Sequence, residues 1–165
     1  MIQRLIFIGS VLAALSACNL PPSQIPGNGA EAPAVVQGMS ESEIQALIQS
    51  YKDFPALNTD LKRSDTHQGM MVRTHLDPTA MQAYQNKAFP YANGAEVVKE
   101  GHMGADGPVS ALFIMKKIEG YDPENGDWFY AMANGDGMVG EQGRMQMCIS
   151  CHGAARDKDF IYGFE

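Results

Sequence analysis

The chain has 165 residues, 45% of them hydrophobic and 19% charged, which suits one globular domain and excludes a disordered or fibrous chain. Its formal net charge of -7 argues against nucleic acid as a partner and against an electrostatic hold on anionic lipid. Three cysteines are too few for a disulfide framework.

Met1–Arg4 carries a positive charge, and Leu5–Leu15 is an apolar run of 11 residues followed by small ones. Such a run reads as a secretory signal, too short to span a bilayer core of about 30 Å. It ends in Leu15-Ser16-Ala17-Cys18, which resembles the lipobox of bacterial lipoproteins. The resemblance implies cleavage before Cys18, a lipid on its sulfur and acylation of its new amino group. The product would be anchored to a bacterial membrane, the outer one being expected, and would face the periplasm. The alternative is an ordinary signal cut after Ala17, which leaves a free cysteine. Either cut removes Arg4, the sole charged side chain of residues 1–17, and makes the chain one unit more acidic.

Residues 19–39 hold four of the nine prolines and no Lys or Arg. Residues 18–39 are therefore read as a flexible tether and 40–165 as the domain. Ser40-Glu41-Ser42-Glu43 fits a capping box, and Ile44, Leu47, Ile48 and Tyr51 follow on one helical face until Pro55. His67–Asp77 alternates enough to be a strand. Asp77-Pro78 is a cap followed by proline at the first helical position, with Ala80, Met81, Tyr84 and Ala88 as the apolar side. Three strands are expected over Ala95–Met103, Val109–Ile118 and Trp128–Ala133, separated by turn-rich spacers. The tail Gly153–Glu165 contains Asp159-Phe-Ile-Tyr-Gly-Phe-Glu165, which suits a closing strand. The fold class is α+β: a mainly antiparallel sheet with two or three packed helices, and no internal repeat.

Near the C-terminal end stands Cys148-Ile149-Ser150-Cys151-His152, the spacing of c-type haem attachment. Two thiols three apart match two haem vinyl groups, and the adjacent imidazole offers a proximal nitrogen to iron. The export signal agrees, since such haem is attached outside the cytoplasm. A thioredoxin-like pair should lie near a βαβ unit, and none is visible. Zinc needs four ligands, with His67, His75 or His102 available but no second paired motif. A structural disulfide suits the tight spacing poorly. All eleven methionines precede His152, so none follows it to close the sixth iron position as in small electron carriers. Met145 and Met147, just before the motif, suit packing against the haem edge.

A late motif on a β-rich chain is similar to the cytochrome P460 / cytochrome c-prime-beta family. The likeness covers most of Phe54 to the end. It rests on Val72-Arg73-Thr74 with Leu76-Asp77-Pro78, on Val97-Val98-Lys99-Glu100, on Gly126-Asp127-Trp128-Phe129-Tyr130, and on the late CISCH. It implies one covalent haem per chain, a homodimer, a redox-partner cytochrome and five-coordinate iron with an open distal face. Members either oxidise hydroxylamine and nitric oxide or bind small gases such as nitric oxide.

The resemblance also assigns residues. Lys99 matches the lysine that cross-links to the haem ring, and alternation puts it on one strand face with Val97, Gly101 and Met103. An edge lysine beside Glu100 is the plainer reading. Arg73 falls where the family places a distal arginine, sharing a face with Met71 and His75; a surface salt bridge is its alternative. The oxidising branch also implies a distal carboxylate, for which Glu141 or Asp136 in the Gly-rich stretch Asn134–Gly143 are candidates. That stretch is shorter and richer in glycine than the enzyme branch implies. In the gas-binding branch, aromatic residues cap the distal face; Phe54, Phe89, Tyr91 and Phe113 are candidates that also suit a core. His67, His75 and His102 are each candidates for a sixth iron ligand, and a strong one would suit simple electron transfer.

Overall fold

A computed structural model of the chain describes residues 35–163. The expected export signal, Cys18 and the expected tether up to residue 34 lie outside the described residues. The end of the tether belongs to the core. Met39 is buried, Val36 packs beside it, and a side chain at Gly38 would collide with the Phe129 ring.

Helix α1 (Glu41–Ser50) starts as its sequence dictates. Ser40 Oγ accepts from the Glu43 amide, and the Glu43 carboxylate accepts from the Ser40 amide. A 3-10 turn over Tyr51–Asp53 and Pro55 close it. Strand β1 (Lys62–Arg63) follows, then β2 (Met71–Leu76). Asp77 caps α2 (Pro78–Asn86), its Oδ1 accepting from the Thr79 and Ala80 amides. Strands β3 (Glu96–His102), β4 (Val109–Lys117), β5 (Trp128–Asn134) and β6 (Val139–Gly143) complete the sheet. Helix α3 (Gln146–His152) and a 3-10 segment over Gly153–Lys158 end the described fold.

The six strands form one antiparallel meander in sequence order, β1-β2-β3-β4-β5-β6. Among the described residues no strands pair in parallel, so they hold no βαβ unit of the kind that carries a thioredoxin-like motif. Both faces of the sheet are covered. Leu76, Val97, Met115, Trp128 and Tyr130 pack against α2, α3 and the tail residues Phe160 and Ile161. Val98, Leu112, Ile114, Phe129 and Ala131 pack against Ile44, Leu47 and Tyr51 of the first helical segment.

Two expected strands are corrected, and a stretch without an expected structure proves to be a hairpin. The strand expected from His67 begins only at Met71, because Gln68 and Gly69 take positive φ (57° and 72°) and turn the chain. His67 therefore sits in a loop, at the end of a 3-10 turn over Asp65–His67. The Gly-rich stretch Asn134–Gly143 is a hairpin, with Gly137 at φ 83° in its turn and β6 as its second strand. The tail forms no strand over residues 159–163: Asp159 and Phe160 have φ of 49° and 69°, which extended pairing forbids.

The face covered by α1 holds a buried carboxylate. Glu100 is 4% exposed; Tyr51 Oη donates to it at 3.0 Å and His102 Nε2 lies 3.2 Å away. Arg73 and His75 stand at ion-pair distances of 3.7 and 3.8 Å. Burial pushes the Glu100 pKa up, but the His75, Tyr51 and His102 groups outweigh it and hold the carboxyl down to about 2. Glu100→Ala strands those partners and is expected to cost about 3 kcal/mol in urea unfolding near neutral pH. A carboxyl depressed from the ordinary 4.5 to about 2 stabilises fully above 4.5 and loses that contribution as pH falls toward 2. The difference between wild type and variant should therefore shrink in acid, and equal stabilities at pH 7 would refute this role.

Candidate cofactor site

Helix α3 explains why two thiols and an imidazole belong at this spacing. Cys148, Cys151 and His152 fall at i, i+3 and i+4, which is one helical face. The buried Ile149 and the Met145 side chain just before the helix hold the other side in the core. Neither cysteine is in a disulfide among the described residues, and Cys148 is half-buried and Cys151 exposed. Burial, together with Glu141 and Cys151 nearby, raises the Cys148 pKa.

That face overlooks a cleft with two connected compartments. The inner one has about 470 Å³ of empty space and is lined by Thr74, Val97, Lys99, Phe113, Met115, Tyr130, Met132, Ile161 and Tyr162 together with Cys148, His152 and His67. The outer one, about 620 Å³, lies between Thr66-His67-Gln68 on one wall and Met147, Cys148, Cys151, His152 and Tyr162 on the other. Both volumes include space open to solvent. Strand register builds the floor: Thr74 opposes Lys99, Lys99 opposes Phe113, and Phe113 opposes Met132.

His152 is set up as a metal ligand. Its Nδ1 is 2.7 Å from the Phe160 carbonyl oxygen, an acceptor, so Nδ1 carries the hydrogen and Nε2 keeps a bare lone pair. Tyr130 and Tyr162 flank the ring edge-on at 5.6 and 5.7 Å. Burial lowers the His152 pKa, despite the Phe160 hydrogen bond, and keeps the ring neutral.

The cleft also holds polar groups without partners. Lys99 is 9% exposed and, among the described residues, has neither a hydrogen bond nor an ion pair. Burial lowers its pKa to about 8. Thr74 Oγ1 and Tyr130 Oη are buried with nothing to bond. Buried polar groups are normally satisfied, so three unsatisfied ones around a cleft signal a missing occupant. A flat, mainly apolar macrocycle with polar edges and a metal centre fits this donor set. Among the described residues no group of three His, Cys, Asp or Glu side chains is placed to hold a bare metal ion.

Other expected residues fall elsewhere. Arg73 is on the opposite face of the sheet, its Nη2 donating to the Thr59 carbonyl and its Nη1 near Glu100. His75 and His102 share that face. Glu141 is exposed on β6, in an open groove that shares Met132 with the cleft but not inside it. Asp136 is exposed in the hairpin turn. Of the four aromatic candidates, Phe113 alone lines the cleft; Phe54 packs on the far face, and Phe89 stacks on Tyr91 in the core. Met145 is core, Met147 is 66% exposed at the rim, and Met103 is 71% exposed beyond the end of β3. Thr74, Tyr130, Met132 and Tyr162 escaped sequence reasoning. Alternation with Lys99 across the ladder would have found Thr74 and Met132.

The Lys99 environment predicts a pH signature in the chain before any cofactor is attached. With the folded pKa near 8 against an ordinary 10.5, the unfolded chain binds more protons between those values. Lys99 thus costs stability below about pH 8, and the cost disappears as pH rises through the window. Lys99→Met should be more stable than wild type at pH 7, with the advantage lost by pH 10.5. A pH-independent difference in denaturation midpoint would show that the amine is not desolvated.

The chain matches no curated protein. The family model described as Cytochrome P460 matches residues 48–163, which span β1 to the tail and every residue lining the cleft. With the donor set of the cleft and a match over most of its length, the chain belongs to the cytochrome P460 family of c-type haem proteins.

Proposed function

We propose that this chain holds one haem covalently, through thioethers from Cys148 and Cys151, with His152 Nε2 as the proximal ligand of iron. It would bind a small nitrogen compound, nitric oxide first, within the cleft that their helical face overlooks. The observation that carries this reading is the single helical face bearing both thiols and a lone-pair-ready imidazole over a cleft of unsatisfied groups. Haem supplies a redox-active iron with room for a sixth ligand. The chain's residues do the rest: Tyr130 and Tyr162 orient the imidazole, Phe113 and Met132 exclude water, and Lys99 offers an amine to the ring or its ligand. A lipid anchor at Cys18, a periplasmic setting, a homodimer and a redox-partner cytochrome complete the proposal.

Binding is favoured over oxidation by the lining. Among the described residues no carboxylate lines either compartment, so no proton acceptor stands ready for hydroxylamine chemistry. Arg73 is committed to the far face and Glu141 to the outer groove. The second reading is oxidation of hydroxylamine or nitric oxide with electrons passed onward. It is favoured by Lys99, whose depressed pKa leaves an appreciable fraction as the nucleophilic free amine, the form needed to bond to the ring.

Production with a haem-attachment system, followed by intact mass and peptide mapping, tests this directly. The wild type should carry one haem that acid–acetone does not extract. Replacing both Cys148 and Cys151 by Ala should leave it extractable. A Lys99 peptide carrying haem mass would identify the cross-link. Ferrous protein should take up one nitric oxide per haem, whereas steady oxidation of hydroxylamine by an electron-acceptor dye would establish the second reading instead.

A further inference from the structure

Two histidines face each other across the outer compartment, and their ring nitrogens are held in opposite ways. His152 Nδ1 meets the Phe160 carbonyl, which only accepts, so its Nε2 is bare. His67 Nδ1 meets two hydroxyls, Ser64 Oγ at 2.8 Å and Thr66 Oγ1 at 3.2 Å. Those hydroxyls are 3.3 Å from each other, and among the described residues neither has another hydrogen-bond partner. When the ring nitrogen accepts from one of these hydroxyls, the other can donate to its neighbour's oxygen and all three groups are paired. The hydrogen of His67 then sits on Nε2, and that atom donates rather than ligates.

Loop geometry fixes where the donor sits. The 3-10 turn over Asp65–His67 and the left-handed turn at Gln68 and Gly69 swing His67 off β2 and over the cleft. There its ring packs edge-on against Phe113, with centroids 4.6 Å apart. Phe113 is the neighbour of Lys99 across the ladder, so the ring stands above the row of floor residues. Burial, with Lys99 and His152 nearby, lowers the His67 pKa to about 3, and the imidazole is neutral at ordinary pH.

We propose that His67 is the distal residue of this haem protein, a neutral N–H donor to whatever binds the sixth position of the iron. This rests on the haem reading above. Its ligand class is a small molecule that gains negative charge on its outer atom when bound, such as nitric oxide or carbon monoxide. A donor aimed at that atom strengthens binding, and dry surroundings enhance the effect. Ser64 and Thr66 are positioning residues that set the tautomer.

The test uses ferrous holoprotein with carbon monoxide as the infrared probe and nitric oxide as the kinetic one. His67→Leu should raise the C–O stretching frequency and speed nitric oxide release about tenfold, the factor for one net hydrogen bond. His67→Gln keeps an N–H and should stay near wild type. Ser64→Ala combined with Thr66→Ala leaves His67 in place but frees its tautomer, and should move the band in the same direction by less. Identical bands in wild type and His67→Leu overturn the proposal. So does a low-spin ferric spectrum in wild type that turns high-spin in His67→Leu, since that makes His67 a ligand. Wild-type chain without covalent haem overturns the haem reading itself, and this inference with it.

Discussion

Lys99 and Glu100 are consecutive on β3, and a strand must send consecutive side chains to opposite faces. β3 and β4 are the middle strands of the six, so both faces there are covered and both charges are buried. On one face the cost is met: Glu100 is surrounded by Tyr51, His102, His75 and Arg73. On the other it is not, and Lys99 has only apolar walls, two orphaned hydroxyls and the facing histidines for company. A charged group left unsolvated in a folded core is destabilising. The asymmetry separates the face that holds the protein together from the face that receives a ligand.

The Glu100 side is what allows that imbalance. Its donors come from three separate segments, Tyr51 after α1, Arg73 and His75 on β2, and His102 at the end of β3. The carboxylate therefore ties the first helical segment and β2 to the middle of the sheet. Arg73, which family likeness would send to the iron, serves here as one of its partners.

Much of the fold could be read from periodicity. The capping box at Ser40, the Asp77-Pro78 start, and the alternation of β3, β4 and β5 are local signals that tertiary packing reinforces. The misread stretches share one cause, backbone φ above zero. At Gln68 and Gly69 it breaks a run that looks like uninterrupted strand, at Gly137 it makes a hairpin of a glycine-rich stretch, and at Asp159 and Phe160 it bars a closing strand. Strands β1 and β6 were missed because they are edges held by ladder hydrogen bonds, not by an apolar alternation. At the site, Cys148, Cys151 and His152 are legible because the chemistry needs fixed spacing within one helix. The faces of Lys99 and Arg73 follow from strand parity. The place of His67 depends on a turn, and that of Glu141 on an edge strand, so parity cannot supply either.

In an up-and-down meander each strand pairs with its sequence neighbour, so every ladder contact joins segments close in sequence. The walls of the cleft are different. Helix α3 and the tail lie on the sheet without joining its ladder, held by the packing of Ile149, Phe160 and Ile161 and by the polar contacts of Asp159. Asp159 accepts from the Tyr91 amide and the Lys117 ammonium through Oδ2, and from Trp128 Nε1 through its carbonyl. Segments held this way open at lower free energy than core strands. Loosening of the Asp159 contacts would uncover the cleft while the ladder that forms its floor stays paired.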